Sequence, residues 1–347
     1  MNYNNRDLPG SQTEYDKQLK ILIYFSVILC NPLFAQFAVN EKTWIEQMNL
    51  TAGLPEKLLS TRSVVFYDYS LTEKELKDVQ QSFQRTGVDP VAYFELDRLM
   101  AGKDITKAYS QYLLKREIVN IVFIEKYPEG YRITVTLFNG KEAVVDQQQP
   151  AWSSSNRELT EVLKDLYRVA SSQSKKENLL INDIPEVGLQ INPILGNRNE
   201  FYAMDLKVDQ LAVPKTGDEN ADKELAEIFA NNYSLKYKLL EPGIPEKELR
   251  KQGQLYVLCV VHARGVVAKD LLGYDVSESE TALVSVTYPE SQQQLKNIPS
   301  NTPVYKFYFK HIDSGNVFLG TKWDADLSWQ QALLNQLKGM KAELRLN

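Results

Sequence analysis

The stretch Phe307 to Trp323, FYFKHIDSGNVFLGTKW, gathers His311, Asp313, Ser314 and Gly315 within five positions, and His311 is one of two histidines among 347 residues. A serine nucleophile, a histidine base and an orienting carboxylate are the parts of a hydrolytic triad. Such a site also needs the acid on the base and an oxyanion position beside the nucleophile. His311 and Asp313 stand two apart and share a face of an extended strand, whereas Ser314 enters the turn that follows. Asp, Ser and Gly in succession are turn formers, with Gly315 supplying a positive φ. The spacing predicts a hairpin turn between two strands and assigns no catalytic residue.

His262 closes the apolar run LYVLCVVHA and is expected at a strand end, partly buried. Cys259 lies inside that run, where no neighbour in sequence would stabilise a thiolate, so it reads as a small buried apolar residue. The chain has no His-x-x-x-His or Cys-x-x-Cys pair, no glycine-rich phosphate cradle and no Gly-x-Ser-x-Gly elbow. No metal or other cofactor is expected. Carboxylates distant in sequence can still converge, as glycoside hydrolysis requires; Asp68, Glu95, Asp324 and Asp326 are the candidates, being placed at strand ends. Tyr305, Phe307 and Phe309 alternate along one strand and Trp323 follows. Turned outward, these four would form a docking surface, and they are the candidate interaction surface.

The composition bounds the partners. With 43% apolar and 24% charged residues the chain is a folded protein. Forty basic against 45 acidic residues, with no dense Lys/Arg cluster, exclude nucleic acid as an expected partner. Near the N-terminus, ILIYFSVILCNPLFAQ follows Lys17 and Lys20 and has the layout of a signal peptide over 1–35, cleaved after Ala35. Its apolar run, about ten residues, is shorter than the roughly 20 of a stable transmembrane span. Cys30 raises lipidation as an alternative, against which stands the bulky Leu29 before it. After cleavage only Cys259 remains, so no intramolecular disulfide can form.

The elements that must position these residues fall into two similar series. A helical lead-in over 36–62 is expected first. In 63–170, SVVFYDYS reads as a strand, Thr72 and Glu75 as the capping box of a helix, VAYFEL as a strand, 104–116 as a helix and 118–127 as a strand. YRITVTLF follows, Asn139-Gly140 predicts a hairpin with Lys141 to Asp146 returning, QQQPAWSSSN reads as a polar loop, and RELTEVLKDLYRVA as a helix. A polar stretch over 171–203 is the expected linker. In 204–347 the order recurs: a strand over Met204 to Val213, a helix over 218–232, LKYKLLE, a short helix PEKELRKQG, QLYVLCVVHA, an insertion at about 263–303, the hairpin around Gly315 and a last helix LSWQQALLNQLKGM. The fold class expected is α+β, two tandem domains each of order β-α-β-α-β-β-β-α, with helices packed on a mixed sheet.

That order, with Asp313, Ser314, Gly315 and Val317 in the closing hairpin, resembles the small α+β domain found at the N-terminus of TolB and in curli-secretion and related periplasmic lipoproteins. The resemblance covers about 63–170 and 204–340. It implies no catalytic residue set and a role in contacts with other envelope proteins. The function expected is therefore an exported, non-enzymatic binding or assembly module of the cell envelope, periplasmic or associated with the outer membrane, with envelope or outer-membrane proteins as partners. The alternatives are a carboxylate-dependent hydrolase acting on glycan and a periplasmic small-molecule carrier with an apolar pocket between its domains.

Overall fold

The computed structural model describes residues 44–173, 175–181, 185–277, 280–289 and 292–346, all within one compact unit. The expected signal peptide, with Cys30 and Ala35, lies outside the described residues. Of the expected helical lead-in, the described part is a 3-10 turn, Trp44–Gln47, then a two-residue strand β1 (Asn49–Leu50) and turns. Gly53 and Pro55 interrupt the segment before an α-helix can pass its nucleation cost.

β2 (Arg62–Tyr67), β3 (Asp89–Glu95), β4 (Asn120–Tyr127), β5 (Gly130–Leu137), β6 (Pro150–Asn156) and β7 (Glu186–Val187) join β1 in a sheet of order β1-β6-β5-β4-β2-β3-β7. Helices α1 (Glu73–Thr86), α2 (Leu96–Leu99), α3 (Lys103–Lys115) and α4 (Leu159–Gln173) connect and cover it. The parallel pairs β2/β3 and β2/β4 need crossovers, which α1 and the α2–α3 stretch supply. α1 starts where its sequence says it should: Thr72 accepts the Glu75 N–H, the Glu75 carboxylate accepts the Thr72 N–H, and Gly87 ends the helix at φ 104.

The second half has β8 (Arg198–Asn199), β9 (Leu211–Pro214), β10 (Tyr237–Leu240), β11 (Tyr256–Arg264), β12 (Ala282–Thr287), β13 (Gln294–Pro299), β14 (Pro303–His311) and β15 (Val317–Phe318). Its main sheet runs β10-β9-β11-β14-β15-β8, and β12 with β13 forms a separate ribbon. Helices α5 (Glu219–Asn232), α6 (Glu246–Lys251), α7 (Gly265–Leu271) and α8 (Trp329–Glu343) complete it. Strand for strand, β3-β2-β4-β5-β6 and β10-β9-β11-β14-β15 follow one order. In both, the first two pairings are parallel and the last two antiparallel.

Three apolar layers hold the unit together. The outer face of the first sheet offers Val65, Val122 and Ile133 to Phe83 of α1 and Leu166 of α4. The outer face of the second offers Leu258, Phe307 and Phe309 to Phe229 of α5 and Leu337 of α8. Between the sheets, Phe66, Phe94 and Phe123 from the first, Tyr109 of α3, and Val257, Val261 and Tyr308 from the second form one cluster. Both faces of β2, β4 and β11 are therefore covered, which is why these strands are near-continuous apolar runs. Two polar clusters cross this middle layer. Arg264 of β11 bonds Glu95 and Asp97 at 2.6 and 2.5 Å, while Lys310 of β14 bonds Asp104 and Glu246, each at 2.8 Å.

Three expected elements are corrected. The strand returning to β5 is Pro150–Asn156, within the expected polar loop, and not Lys141 to Asp146. Asn139-Gly140 instead makes a local turn in which Asn139 Oδ1 accepts the Lys141 N–H, and the buried Ala143, Val144 and Val145 anchor the loop. The tight hairpin lies one strand earlier, at Pro128-Glu129, where Tyr127 pairs with Gly130. The strand expected over Met204 to Val213 is confined to β9, preceded by a 3-10 turn at Met204–Lys207. Met204 and Val208 are exposed while Leu206 is buried, so the alternation of apolar residues there does not share a face. VFLGTKW keeps strand structure over Val317–Phe318 alone, because Gly320 at φ 80 turns the chain.

Candidate binding site

The stretch around His311 is a hairpin turn held by its own polar groups. Ser314 donates its N–H to His311 Nδ1 at 3.2 Å, and its hydroxyl lies 3.1 Å from the same nitrogen. Gly315, at φ 73, donates to the His311 carbonyl at 2.9 Å. Asp313 turns away from the imidazole and takes Arg250 Nε on both oxygens, at 2.8 and 2.7 Å. The acid that a triad would need to orient its base is occupied by an arginine. His262 stacks on Tyr305, with ring centroids 3.9 Å apart, and its Nδ1 lies 3.2 Å from the Val304 carbonyl. Cys259 is buried, and burial pushes its thiol well up, away from the reactive thiolate.

The candidate interaction surface is not a surface. Phe307 and Phe309 are fully buried beneath α5 and α8, and Trp323 packs edge-on against Tyr274 in the middle layer. Tyr305 is half-buried under the His262 ring. The alternation was that of a core strand covered on its outer face by two amphipathic helices.

The four carboxylates do not converge on one site. Asp68 accepts the Ser70 N–H and hydroxyl in a local turn. Glu95 joins Arg264, whose guanidinium also lies 3.8 Å over the Tyr69 ring. Asp326 holds Lys296 at 2.7 Å. Asp324 is buried and pairs with Lys306 at 2.6 Å. Lys306 is fully buried and also donates to the Leu319 carbonyl and Gln336 Oε1, at 2.9 and 2.5 Å, so the ammonium has two hydrogen bonds besides its ion pair. Burial pushes the Lys306 ammonium down and the Asp324 carboxyl up, each against the attraction of its partner.

Lys306 escaped the sequence reading, though one signal was there. In V-Y-K-F-Y-F-K it falls between Val304 and Tyr308 on a strand whose neighbours are apolar on both faces, a position where a cation must be paired.

Asp324 also lines a cavity of about 350 Å³. It is lined by Phe201 and Tyr202, by Val286 and Tyr288, by Gly320 and Lys322 of the turn before Asp324, and by Gly339 and Glu343 of α8. Gly320 is required twice over: its φ is 80, and a Cβ there would stand 2.7 Å from the Tyr202 hydroxyl. Glu343 Oε1 accepts the Tyr202 N–H at 2.7 Å, fixing that carboxylate at the wall. Lys322 Nζ donates to Gln293 Oε1 at 2.8 Å. At Gly339 the position a Cβ would take is 3.7 Å from Asp324 Oδ2, so the missing side chain leaves room beside that oxygen.

The ribbon of β12 and β13 borders the cavity through Val286. Its inner face buries Leu283 and Ile298, and its outer face carries Val284 and Leu295, 54% and 70% exposed. Leu295 is the cross-strand partner of Val286, so the apolar outer face runs to the cavity wall. β12 is tied to the body by the Val286 N–H on the Trp323 carbonyl, at 2.8 Å. Among the described residues no strand pairs with the other edge of β13.

No protein-family model, curated protein or solved structure matches this chain. Among the described residues no helix is long and apolar enough to cross a membrane, and no three His, Cys, Asp or Glu side chains are grouped to hold a metal ion.

Proposed function

We propose that the protein is an exported, non-enzymatic binding or assembly module of the cell envelope that engages envelope or outer-membrane proteins through the β12–β13 ribbon. The observation that carries this reading is the open edge of β13 beside an outward apolar face, Val284 and Leu295. An edge strand offers unpaired backbone groups that an extended segment of a partner satisfies, and adjacent apolar side chains add affinity. The apolar run after Lys20 supports export, and the order of elements supports the likeness to TolB-type domains.

Capture from envelope extract by the immobilised chain, followed by mass spectrometry, tests this reading. A protein retained reproducibly by the natural chain and lost with Leu295→Lys or Val284→Lys is the expected result. No retained protein, or retention untouched by both changes, overturns it.

Hydrolysis of glycan through carboxylates is the second reading, favoured by one fact: Asp324 and Glu343 line the same cavity. Their partners, the Lys306 ammonium and the Tyr202 N–H, suit fixed hydrogen-bond acceptors better than groups that exchange protons.

A further inference from the structure

The cavity beside α8 is built on side chains apart from the docking ribbon, apart from its shared wall at Val286, and its chemistry selects a ligand class by elimination. The charged residues that line it are Lys322, Asp324 and Glu343, and the buried Lys306 pairs with Asp324 from behind the lining, so two cations meet two carboxylates. An anionic ligand would face the Glu343 carboxylate, and Lys322, the cation of the lining, already donates to Gln293. An ammonium ligand would compete for an Asp324 whose charge Lys306 already offsets at 2.6 Å. A wholly apolar ligand would cover Asp324, Glu343 and Lys322 without replacing their hydrogen bonds to water, at the cost that attends unpaired polar groups. What fits is a neutral molecule with an apolar face and a rim of hydroxyls that both donate and accept.

A pyranose ring has this description. Its C–H face suits aromatic rings, and Phe201 and Tyr288 line the cavity; its hydroxyls suit carboxylate acceptors and an ammonium donor, and Asp324, Glu343 and Lys322 line it too. We propose that this cavity binds a neutral carbohydrate of one or two rings, with Asp324 and Glu343 as hydroxyl acceptors. The volume, about 350 Å³, is at the small end for ligand pockets. Gly339 is the residue that keeps the acceptor accessible, since any longer side chain at that position enters the cavity beside Asp324 Oδ2.

The test is saturation-transfer NMR and titration calorimetry of the full chain with N-acetylglucosamine and maltose, with lysine and inorganic phosphate as charged comparators. Binding of a sugar but neither comparator is expected, weakened at least about tenfold by Gly339→Leu and by Glu343→Gln. Gly339→Leu removes no charge and replaces a helical glycine by a better helix former, so an unchanged circular dichroism spectrum separates a blocked cavity from a lost fold. No sugar binding at tens of millimolar, binding of lysine or phosphate in its place, or affinity indifferent to both changes overturns the proposal. Release of new reducing ends from maltose supports the sugar site and overturns the non-enzymatic reading. Protein capture that survives Gly339→Leu but not Leu295→Lys leaves the docking reading standing whatever the sugar result.

Discussion

Lys306 and Arg264 stand on the neighbouring strands β14 and β11, and each anchors an ion cluster, Lys306 with Asp324 and Arg264 with Glu95 and Asp97 of the first half, yet the two clusters are held in different media. The first pair is almost wholly dry, with side-chain exposures of 0% and 6%. In the second the arginine is 10% exposed, but Glu95 and Asp97 keep 30% and 24% of their side chains in contact with water. In the dry pair, desolvation is offset by Coulomb attraction and by the Lys306 hydrogen bonds to the Leu319 carbonyl and Gln336; in the wet cluster, water meets part of the cost and the Tyr69 ring adds a cation–π contact. Lys306–Asp324 is therefore expected to tolerate loss of both partners better than loss of one, whereas the Arg264 cluster degrades by steps.

The most severe break is Lys306→Met. It strands a carboxylate 4% exposed, and a loss of about 3–5 kcal/mol is expected by urea denaturation. Adding Asp324→Leu to Lys306→Met recovers most of that loss; a double change as harmful as the single one would break the comparison. Arg264→Ala comes next, at about 1–3 kcal/mol, because two half-wet carboxylates lose their donor and Tyr69 its cation.

Glu75 is a third, partly buried ion whose contribution is read through pH. Burial raises its pKa, but hydrogen bonds from Tyr131, the Thr72 N–H and Lys126 outweigh that and hold it at about 2. A folded-state pKa below the unfolded value of about 4.5 contributes stability that is complete above that value and lost as pH falls through about 2. Stability curves of the natural chain and Glu75→Gln should therefore converge between these limits; parallel curves there refute the shift. The smallest effect belongs to Arg250→Ala. Its partner Asp313 is 49% exposed, and a change of about 0–1 kcal/mol, fading with salt, is expected from the same denaturation measurement.

Much of the fold was legible because local chemistry and tertiary structure agree. Thr72 with Glu75 marks α1, Asp218 caps α5 by accepting the Asn220 and Ala221 N–H groups, and Gly315 marks a hairpin. The return strand β6 was illegible because PAWSSSN is polar where its outer residues face solvent, and its pairing of Trp152 with Val135 is long-range information. The candidate site was the least legible part. Its walls come from Phe201, Val286, Gly320 and Glu343, four segments whose spacing carries no periodic signal. The aromatic row misled because alternation fixes which residues share a face and is silent on what covers it.

The rungs where the halves diverge have a further consequence. In the first sheet, β4 passes to β5 through two residues, with Tyr127 opposite Gly130. In the second, the corresponding ladder ends with Arg264 opposite Pro303, and everything between them, α7 and the ribbon included, departs from and returns to adjacent rungs. That makes the segment an outgrown hairpin loop, seated on the body by Val267 and Leu271 of α7. Such an appendage can lengthen, shorten or change its outward side chains without disturbing the register of the strands beneath it. The ladder fixes the register of the second sheet, and the excursion that leaves it at Arg264 rejoins it one rung across, at Pro303.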